Sequence, residues 1–322
     1  MSRTPIAPPT LAAIRAAAER LRGLALRTPL IPLELPECRH EIYLKPENLQ
    51  PIGSFKVRGA GNAMLLAGEE RLADGVYTAS AGNMAQGVAW AARRLGVPCR
   101  VIVPEHAPKT KLKAIDRLGG EAIKVPFDDW WRVIVEHRHP GIEGHFIHPV
   151  AEPAVIAGNA TIGLEIAADL PAVKTILVPF GGGGLSCGIA AAARAVVPAA
   201  RVYACEVATA APLAAALAAG KPVAIDYAPS FVDGIGGKNV LDEMWPVARR
   251  LLAGSLVVGL EEVAAALRLL ALRARLVAEG AGATPLAAAL ANPELEGPVV
   301  CVVSGGNLDA DKLIPILGGA LP

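Results

Sequence analysis

No apolar run in the 322-residue sequence approaches the ~20 residues that a membrane-spanning helix needs, although hydrophobic residues make up 53% of it. Alanine supplies much of that figure. The first ten residues hold no apolar segment between a basic start and a cleavage site, which speaks against a secretory signal. An excess of one charge is also lacking. The 31 basic and 30 acidic side chains leave a formal net charge of +1, with neither a nucleic-acid footprint nor an acidic tail. Cysteine is sparse and scattered, at Cys38, Cys99, Cys187, Cys205 and Cys301. With no CxxC pair and no Cys/His cluster, a disulfide framework or a zinc site is not expected. Four of the five thiols lie beside apolar or β-forming stretches, where cysteine behaves as a small buried hydrophobe. The six histidines show no ligand spacing and are read as surface or structural. Partners of the membrane or nucleic-acid kind are therefore not expected, and the cytoplasm is the natural compartment.

What is present is a rhythm. Short β-branched runs alternate with longer alanine- and leucine-rich stretches, the pattern of parallel sheets covered by helices in an α/β protein. A chain of this length has room for two domains. The spacing predicts helices over 11–22, 83–95, 109–118, 129–138, 154–169, 185–195 and 261–278. Strands are predicted over 41–45, 76–79, 100–103, 122–125, 145–148, 175–180, 202–205 and 299–303. The units between 74 and 149 are shorter and read as a small inserted domain. The larger one then comprises 1–73 and 150–322. Residues 227–245, with Pro229, Gly234, Gly236 and Gly237, read as a functional loop.

The strand at 175–180 runs directly into Gly181, Gly182, Gly183 and Gly184 and then into a helix. Four glycines in succession free their backbone N–H groups of Cβ shielding beside the positive end of a helix dipole, which suits a phosphate. One or two glycines would serve a merely tight turn. Leu185-Ser186 stands where a Walker motif needs lysine. A dinucleotide fold stays open at this point, because Glu206 ends the next strand where a ribose-binding acid would fall. Strict GxGxxG spacing nevertheless fails, since Cys187 takes the third glycine slot and Gly188 comes one place late.

Lys56, in Ser54-Phe55-Lys56-Val57-Arg58-Gly59-Ala60, opens a helix. A lysine there meets the unfavourable end of the macrodipole, and the nearest acid in sequence is Glu47. A destabilised ammonium has a depressed pKa, as an amine nucleophile toward an aldehyde requires.

These residues carry a resemblance. Lys45-Pro46-Glu47-Asn48-Leu49-Gln50-Pro51 with the Lys56 segment resembles the Schiff-base region of the pyridoxal 5′-phosphate-dependent threonine and serine dehydratases. Serine racemase belongs to the same group, fold type II. The likeness continues through Ser80-Ala81-Gly82-Asn83, the segment 152–158, the glycine turn, Glu279-Gly280-Ala281-Gly282-Ala283 and Ser304-Gly305-Gly306-Asn307. These blocks span about residues 28 to 308 in the family's order.

The resemblance implies a tryptophan synthase β-like fold of two three-layer parallel-sheet domains with pyridoxal 5′-phosphate between them. It makes Lys56 the Schiff-base lysine and Cα base, with Phe55 against a ring face and Asn83 bonded to the ring's 3-hydroxyl oxygen. The amides of Gly181, Gly182, Gly183, Gly184 and Leu185 would take the phosphate, and Ser304 would face the pyridine nitrogen. A serine there leaves the ring a weaker electron sink, which fits elimination better than transamination. Ser80, Ala81, Gly82, Asn83 and Met84 would grip the carboxylate of a small amino-acid substrate. Departures accompany the likeness. Met84 stands where the family often has histidine, so that wall of the loop is expected to be less polar. Ala81 replaces the opposite-face serine base of serine racemase, and Val150 replaces a polar residue. Pro212 stands where metal-activated members place an aspartate, so metal activation is not expected. A regulatory C-terminal module, with its feedback control, is not expected either, and a homodimer is.

The resulting expectation is a lyase that dehydrates and deaminates L-threonine or L-serine. Alternatives are a dehydratase for a bulkier substrate such as 3-phenylserine or 3-hydroxyaspartate, a β-replacement synthase, or an amino-acid racemase. More distant are a nicotinamide-dinucleotide oxidoreductase and a non-catalytic binding protein on the same fold.

Overall fold

The computed structural model describes residues 4–36 and 38–322. Helix α1 (Leu11–Arg20) begins at Thr10, whose hydroxyl accepts the Ala13 amide at 3.2 Å, and it buries Ile14 and Ala17. Strands β1 (Ile31–Leu33) and β2 (Ile42–Pro46) pair antiparallel. A 3-10 turn over Glu47–Leu49 then leads toward α2 (Lys56–Leu72).

The chain next builds a four-stranded parallel sheet. Its elements are β3 (Val76–Ala79), α3 (Asn83–Leu95), β4 (Cys99–Pro104), α4 (Lys109–Arg117), β5 (Gly120–Val125), α5 (Phe127–Glu136) and β6 (His145–Phe146). The strand order is β5-β4-β3-β6. Helix α5 starts two residues before the expected 129. Asp128 and Asp129 both occupy its first turn, where carboxylates meet the positive end of the dipole, and His137 at φ 56° stops it.

Helix α6 (Pro153–Asp169), with proline at its first position, leads back to the first sheet through β7 (Thr175–Pro179), α7 (Gly184–Val196) and β8 (Arg201–Val207). Then come α8 (Pro212–Ala219), α9 (Trp245–Leu251), β9 (Gly254–Val258), α10 (Leu260–Leu269), α11 (Gly280–Ala291), β10 (Val299–Val303) and α12 (Ala310–Leu317). The six strands are ordered β1-β2-β10-β7-β8-β9, parallel except for β1. Strands β7 and β10 are buried at every residue. Their alternate side chains divide between the two faces: Leu177, Cys301 and Val303 join one hydrophobic cluster, Ile176, Val178, Val300 and Val302 the other. Helices cover both faces, which makes the unbroken apolar runs of β7 and β10 intelligible.

Two departures from expectation have plain causes. The helix expected over 261–278 ends early, in a π-helical turn over Leu270–Ala274, and Arg275 at φ 60° leaves it. No glycine or proline marks that stop. Helix α11 was not expected at all. It is buried on almost every side and carries Pro285 inside, so it has no polar face to give a helical period.

Charged groups are buried behind the start of α2. The Arg58 guanidinium donates to both oxygens of Glu47 (2.8 and 2.8 Å) and of Glu165 (2.6 and 2.9 Å), and to Thr161 Oγ1 and Leu26 O. Lys45 Nζ donates to Glu165 Oε2 at 2.5 Å and to Thr28 O at 2.6 Å, while Thr28 Oγ1 donates to Glu47 Oε1 at 2.7 Å. Two cations thus face two carboxylates. Burial alone would raise the Glu47 pKa, but the guanidinium beside it prevails and holds it below the usual 4.5. A group depressed in this way contributes stability above its unfolded pKa and loses it as pH falls through the folded one.

Removing one partner leaves the other charge buried and unpaired. Arg58→Ala is expected to lower unfolding free energy by about 3–5 kcal/mol in urea denaturation. In the unsubstituted protein the Glu47 contribution should fade only below about pH 4.5. In Arg58→Met burial acts on Glu47 with less opposition, so the fall in stability should begin at higher pH. An unchanged acid limb in that variant would contradict this assignment.

Candidate active site

Lys56 and Arg58 sit two residues apart at the first turn of α2, roughly 200° around the helix, so when one points into the charged core the other points away from it. Lys56 Nζ donates to Pro149 O at 2.8 Å and lies 5.2 Å from the centroid of the Phe55 ring. Burial pushes its pKa down to about 8, against the opposing pull of the Glu279 carboxylate. The low amine pKa expected at Lys56 is therefore present, but a carboxylate distant in sequence does stand near it. Burial is the main cause.

On the far side, β7 ends at Pro179 and the four glycines lead into α7. Gly183 has φ 92°, a conformation that L side chains rarely adopt, and a Cβ at Gly182 would stand 2.5 Å from Val150 Cγ1. Among the described residues no protein acceptor takes the amides of Gly181, Gly182, Gly183, Gly184 or Leu185. These free donors lie at the positive end of a 13-residue helix.

The remaining motifs close a circuit of contacts between these two features. A Cβ at Gly181 would stand 3.4 Å from Gly234 O, and one at Gly234 would stand 3.3 Å from Glu279 Oε1. Asn83 Nδ2 donates to both Glu279 oxygens, at 2.8 and 3.1 Å. Asn307 Nδ2 donates to Asn83 Oδ1 at 2.8 Å and to Ile52 O at 2.9 Å. Ser304, buried at the end of β10, accepts the Phe55 amide on its carbonyl at 3.0 Å. Phe55 adjoins Lys56, Lys56 reaches Pro149, and Val150 packs on Gly182 and Gly184.

Helix α3 supplies a second set of free donors. Gly82 precedes it without a side-chain cap, donating its own amide to Ser80 Oγ at 3.2 Å. Among the described residues the amides of Asn83, Met84 and Ala85 have no protein acceptor. The Met84 side chain, expected to form a wall of this loop, is instead 2% exposed in the cluster that holds Ala60, Met64 and Val155. Ala81 packs against the same cluster. Met84 can therefore offer the site its amide but not its thioether.

Glu279 was not singled out from sequence, though its segment was. The carboxyl is buried, which lifts its pKa to about 7 in spite of the Asn83 donor. Glu206, the residue on which the dinucleotide alternative leaned, has its oxygens occupied. They accept the amides of Leu213 and Ala214 at the start of α8, each at 2.8 Å, and the Ser255 hydroxyl at 2.5 Å. It caps a helix rather than waiting for a ribose. Among the described residues there is no cluster of three or more histidine, cysteine, aspartate or glutamate side chains able to hold a metal ion.

A buried amine of lowered pKa and a glycine turn with free amides, joined through one circuit of contacts, are groups that suit an aldehyde phosphate cofactor. The family model for pyridoxal-phosphate dependent enzyme matches residues 21–305, and the chain belongs to that family. It is 43% identical over 311 residues to an L-threonine ammonia-lyase of Geobacter sulfurreducens, covering 93% of this chain and 76% of the relative. Among solved structures, a threonine deaminase from T.th. superposes with a TM-score of 0.87 at 34% identity, over 94% of this chain and 99% of that one. Maize serine racemase gives 0.89 at 30% identity, over 96% of each. The fold is fold type II, with two parallel-sheet domains, and the cofactor is pyridoxal 5′-phosphate. The nicotinamide and non-catalytic alternatives fall with these matches.

In the cofactor-free protein the Lys56 amine is charged below about pH 8 and neutral above it. Its acylation rate, followed by peptide mapping, should rise through that pH while surface lysines remain slow. Glu279→Gln removes the carboxylate that favours the ammonium, so the midpoint should move down. An upward move would show that Glu279 does not act on Lys56 through its charge.

Proposed function

We propose that the chain converts L-threonine or L-serine into the corresponding 2-oxo acid and ammonia, with Lys56 carrying the cofactor. Residues 74–149 form the small substrate-gripping domain in this reading, and 1–73 with 150–322 the cofactor domain. The observation that carries it is the closed circuit joining Lys56, the free amides of the glycine turn and the free amides of α3. The 43% identity to an L-threonine ammonia-lyase supports the same reaction. When bound, pyridoxal phosphate supplies an electron sink for negative charge at Cα. Lys56, its amine freed once the substrate has taken its place on the cofactor, would take the proton from Cα. The start of α3 holds the substrate carboxylate with N–H donors at a positive helix end. Water lost across Cα–Cβ is regained as the imine hydrolyses to oxo acid and ammonia. By the family resemblance, Gly181, Gly182, Gly183, Gly184 and Leu185 would hold the phosphate, Phe55 would lie against the ring and Ser304 would offer the ring nitrogen an uncharged hydroxyl. Asn83, tied to Glu279 and Asn307, is oriented for the ring oxygen. Four buried cysteines outside any disulfide, Cys99, Cys187, Cys205 and Cys301, agree with a cytoplasmic enzyme, and a homodimer follows from the family resemblance.

Borohydride reduction followed by proteolysis should place the phosphopyridoxyl mass on the peptide containing Lys56. Oxo acid and ammonia should appear together in a screen of β-hydroxy amino acids, with threonine or serine foremost. A label on another lysine, or turnover of 3-phenylserine or 3-hydroxyaspartate alone, would refute this reading.

Elimination is expected to exceed racemisation by a wide margin. Lys56 serves one face of the substrate only, and inversion needs a proton donor on the other. Ala81 has none to offer, backbone amides do not protonate carbon, and the Met84 side chain lies in the core. Ser80 Oγ accepts the Gly82 amide, which leaves its own proton free, and in this reading that proton is given to the substrate carboxylate. Chiral analysis of serine during turnover should show oxo acid accumulating with little inverted amino acid. Inversion as fast as oxo-acid release would overturn the assignment of faces.

A further inference from the structure

Residues 147–152 carry the chain from the four-stranded sheet to α6 with no helix or strand of their own. This short connector nonetheless touches the site twice. Pro149 O accepts Lys56 Nζ at 2.8 Å, and Val150 fills the space that side chains at Gly182 and Gly184 would need. Irregular backbone holds such positions only if something other than a ladder fixes it.

The fixing group is a side chain. His148, grouped by sequence with surface or structural histidines, is 2% exposed. Its Nδ1 accepts two backbone amides, from Val150 at 3.0 Å and Ala151 at 2.7 Å, and its Nε2 lies 3.2 Å from Ile134 O. Two N–H groups aimed at Nδ1 leave no room for a proton there, so the ring proton sits on Nε2 and is donated to the α5 carbonyl. The His148 amide in turn donates to Glu152 Oε2 at 2.8 Å, and the ring centroid lies 4.1 Å from that of His137, with the planes tilted by 37°. The imidazole therefore stands in for the missing ladder, bending residues 148–151 around its Nδ1.

We propose that His148 is a positioning residue for catalysis: through Nδ1 it sets the Pro149 carbonyl against the Lys56 amine and the Val150 side chain against the phosphate turn. It touches no reacting atom. The inference rests on the reading of Lys56 as the cofactor lysine. Failure of that reading shows separately, as absence of the label on Lys56 in the unsubstituted enzyme.

Two substitutions separate the ring nitrogens. Asparagine can place an acceptor oxygen near the Nδ1 position, whereas glutamine reaches toward Ile134 O but leaves the Val150 and Ala151 amides without a partner. In the holoenzyme His148→Gln should lower kcat on the order of tenfold to a hundredfold, the scale of small misplacements at a reacting centre, with a smaller change in KM. It should also broaden or shift the phosphorus-31 resonance of the bound cofactor, because Val150 no longer presses on the glycine turn. His148→Asn should stay within a few-fold of the unsubstituted enzyme in kcat and keep the phosphorus signal. If both variants match the unsubstituted enzyme, or both lose activity while the phosphorus signal is unmoved, the proposal is wrong. Should His148→Gln give no folded protein, His148→Asn decides alone: a retained kcat and phosphorus signal support the role, and loss of either overturns it.

Discussion

The pairing of Arg58 with Glu47 and Glu165 is the interaction on which the rest of the structure leans. One guanidinium ties the loop after α1, the turn after β2, the first turn of α2 and the middle of α6. Such a group carries a large desolvation cost, and an apolar cluster of the same volume would hold these segments about as firmly. What an apolar cluster lacks is direction. Five donors in a rigid fork accept one arrangement of two carboxylates, and that arrangement fixes how α2 is rotated about its own axis. Since Lys56 lies two residues before Arg58, the rotation decides where the reactive amine points. The charged core and the site are two faces of one helical turn.

Much of this was legible in the chain itself. The glycine turn announces its chemistry because four consecutive glycines are wasteful for any purpose but close backbone approach. Strand β10 and residues 176–179 of β7 are readable because full burial leaves runs without polar interruption. Lys56 stands out through its lack of neighbouring acids. The same locality misleads. Glu279 is remote in sequence yet close enough to act on the Lys56 amine, and no spacing rule connects them. Met84, placed correctly at the start of α3, turns its side chain into the core because the first turn of a helix has an inner face as well as an outer one.

The carboxyl of Glu279 and the amine of Lys56 show how one low-polarity pocket acts on opposite charges. Burial raises one pKa to about 7 and lowers the other to about 8, so both groups change charge near neutrality. The Glu279 carboxylate favours the charged form of Lys56, while Lys111 favours that of Glu279. The hydrogen bonds from Asn83 to Glu279 and from Asn307 to Asn83 place amides, which do not titrate, beside the carboxylate. Orientation there is carried by neutral groups while the charge remains free to vary.

The strand order has a consequence for how the molecule comes into being. Strand β10 is the last of the ten strands among the described residues, yet it lies between β2 and β7, near the middle of its sheet. During synthesis the β1–β2 pair and the β7–β8–β9 strands can each form, but the two groups have no direct partner in each other and wait with a gap between them. Only when residues 299–303 emerge does the sheet close, and the same event delivers Ser304 and Asn307 to their places. Closure of the circuit of contacts around Lys56 is thereby a late act of folding, reserved for chains in which residues 299–307 have been made.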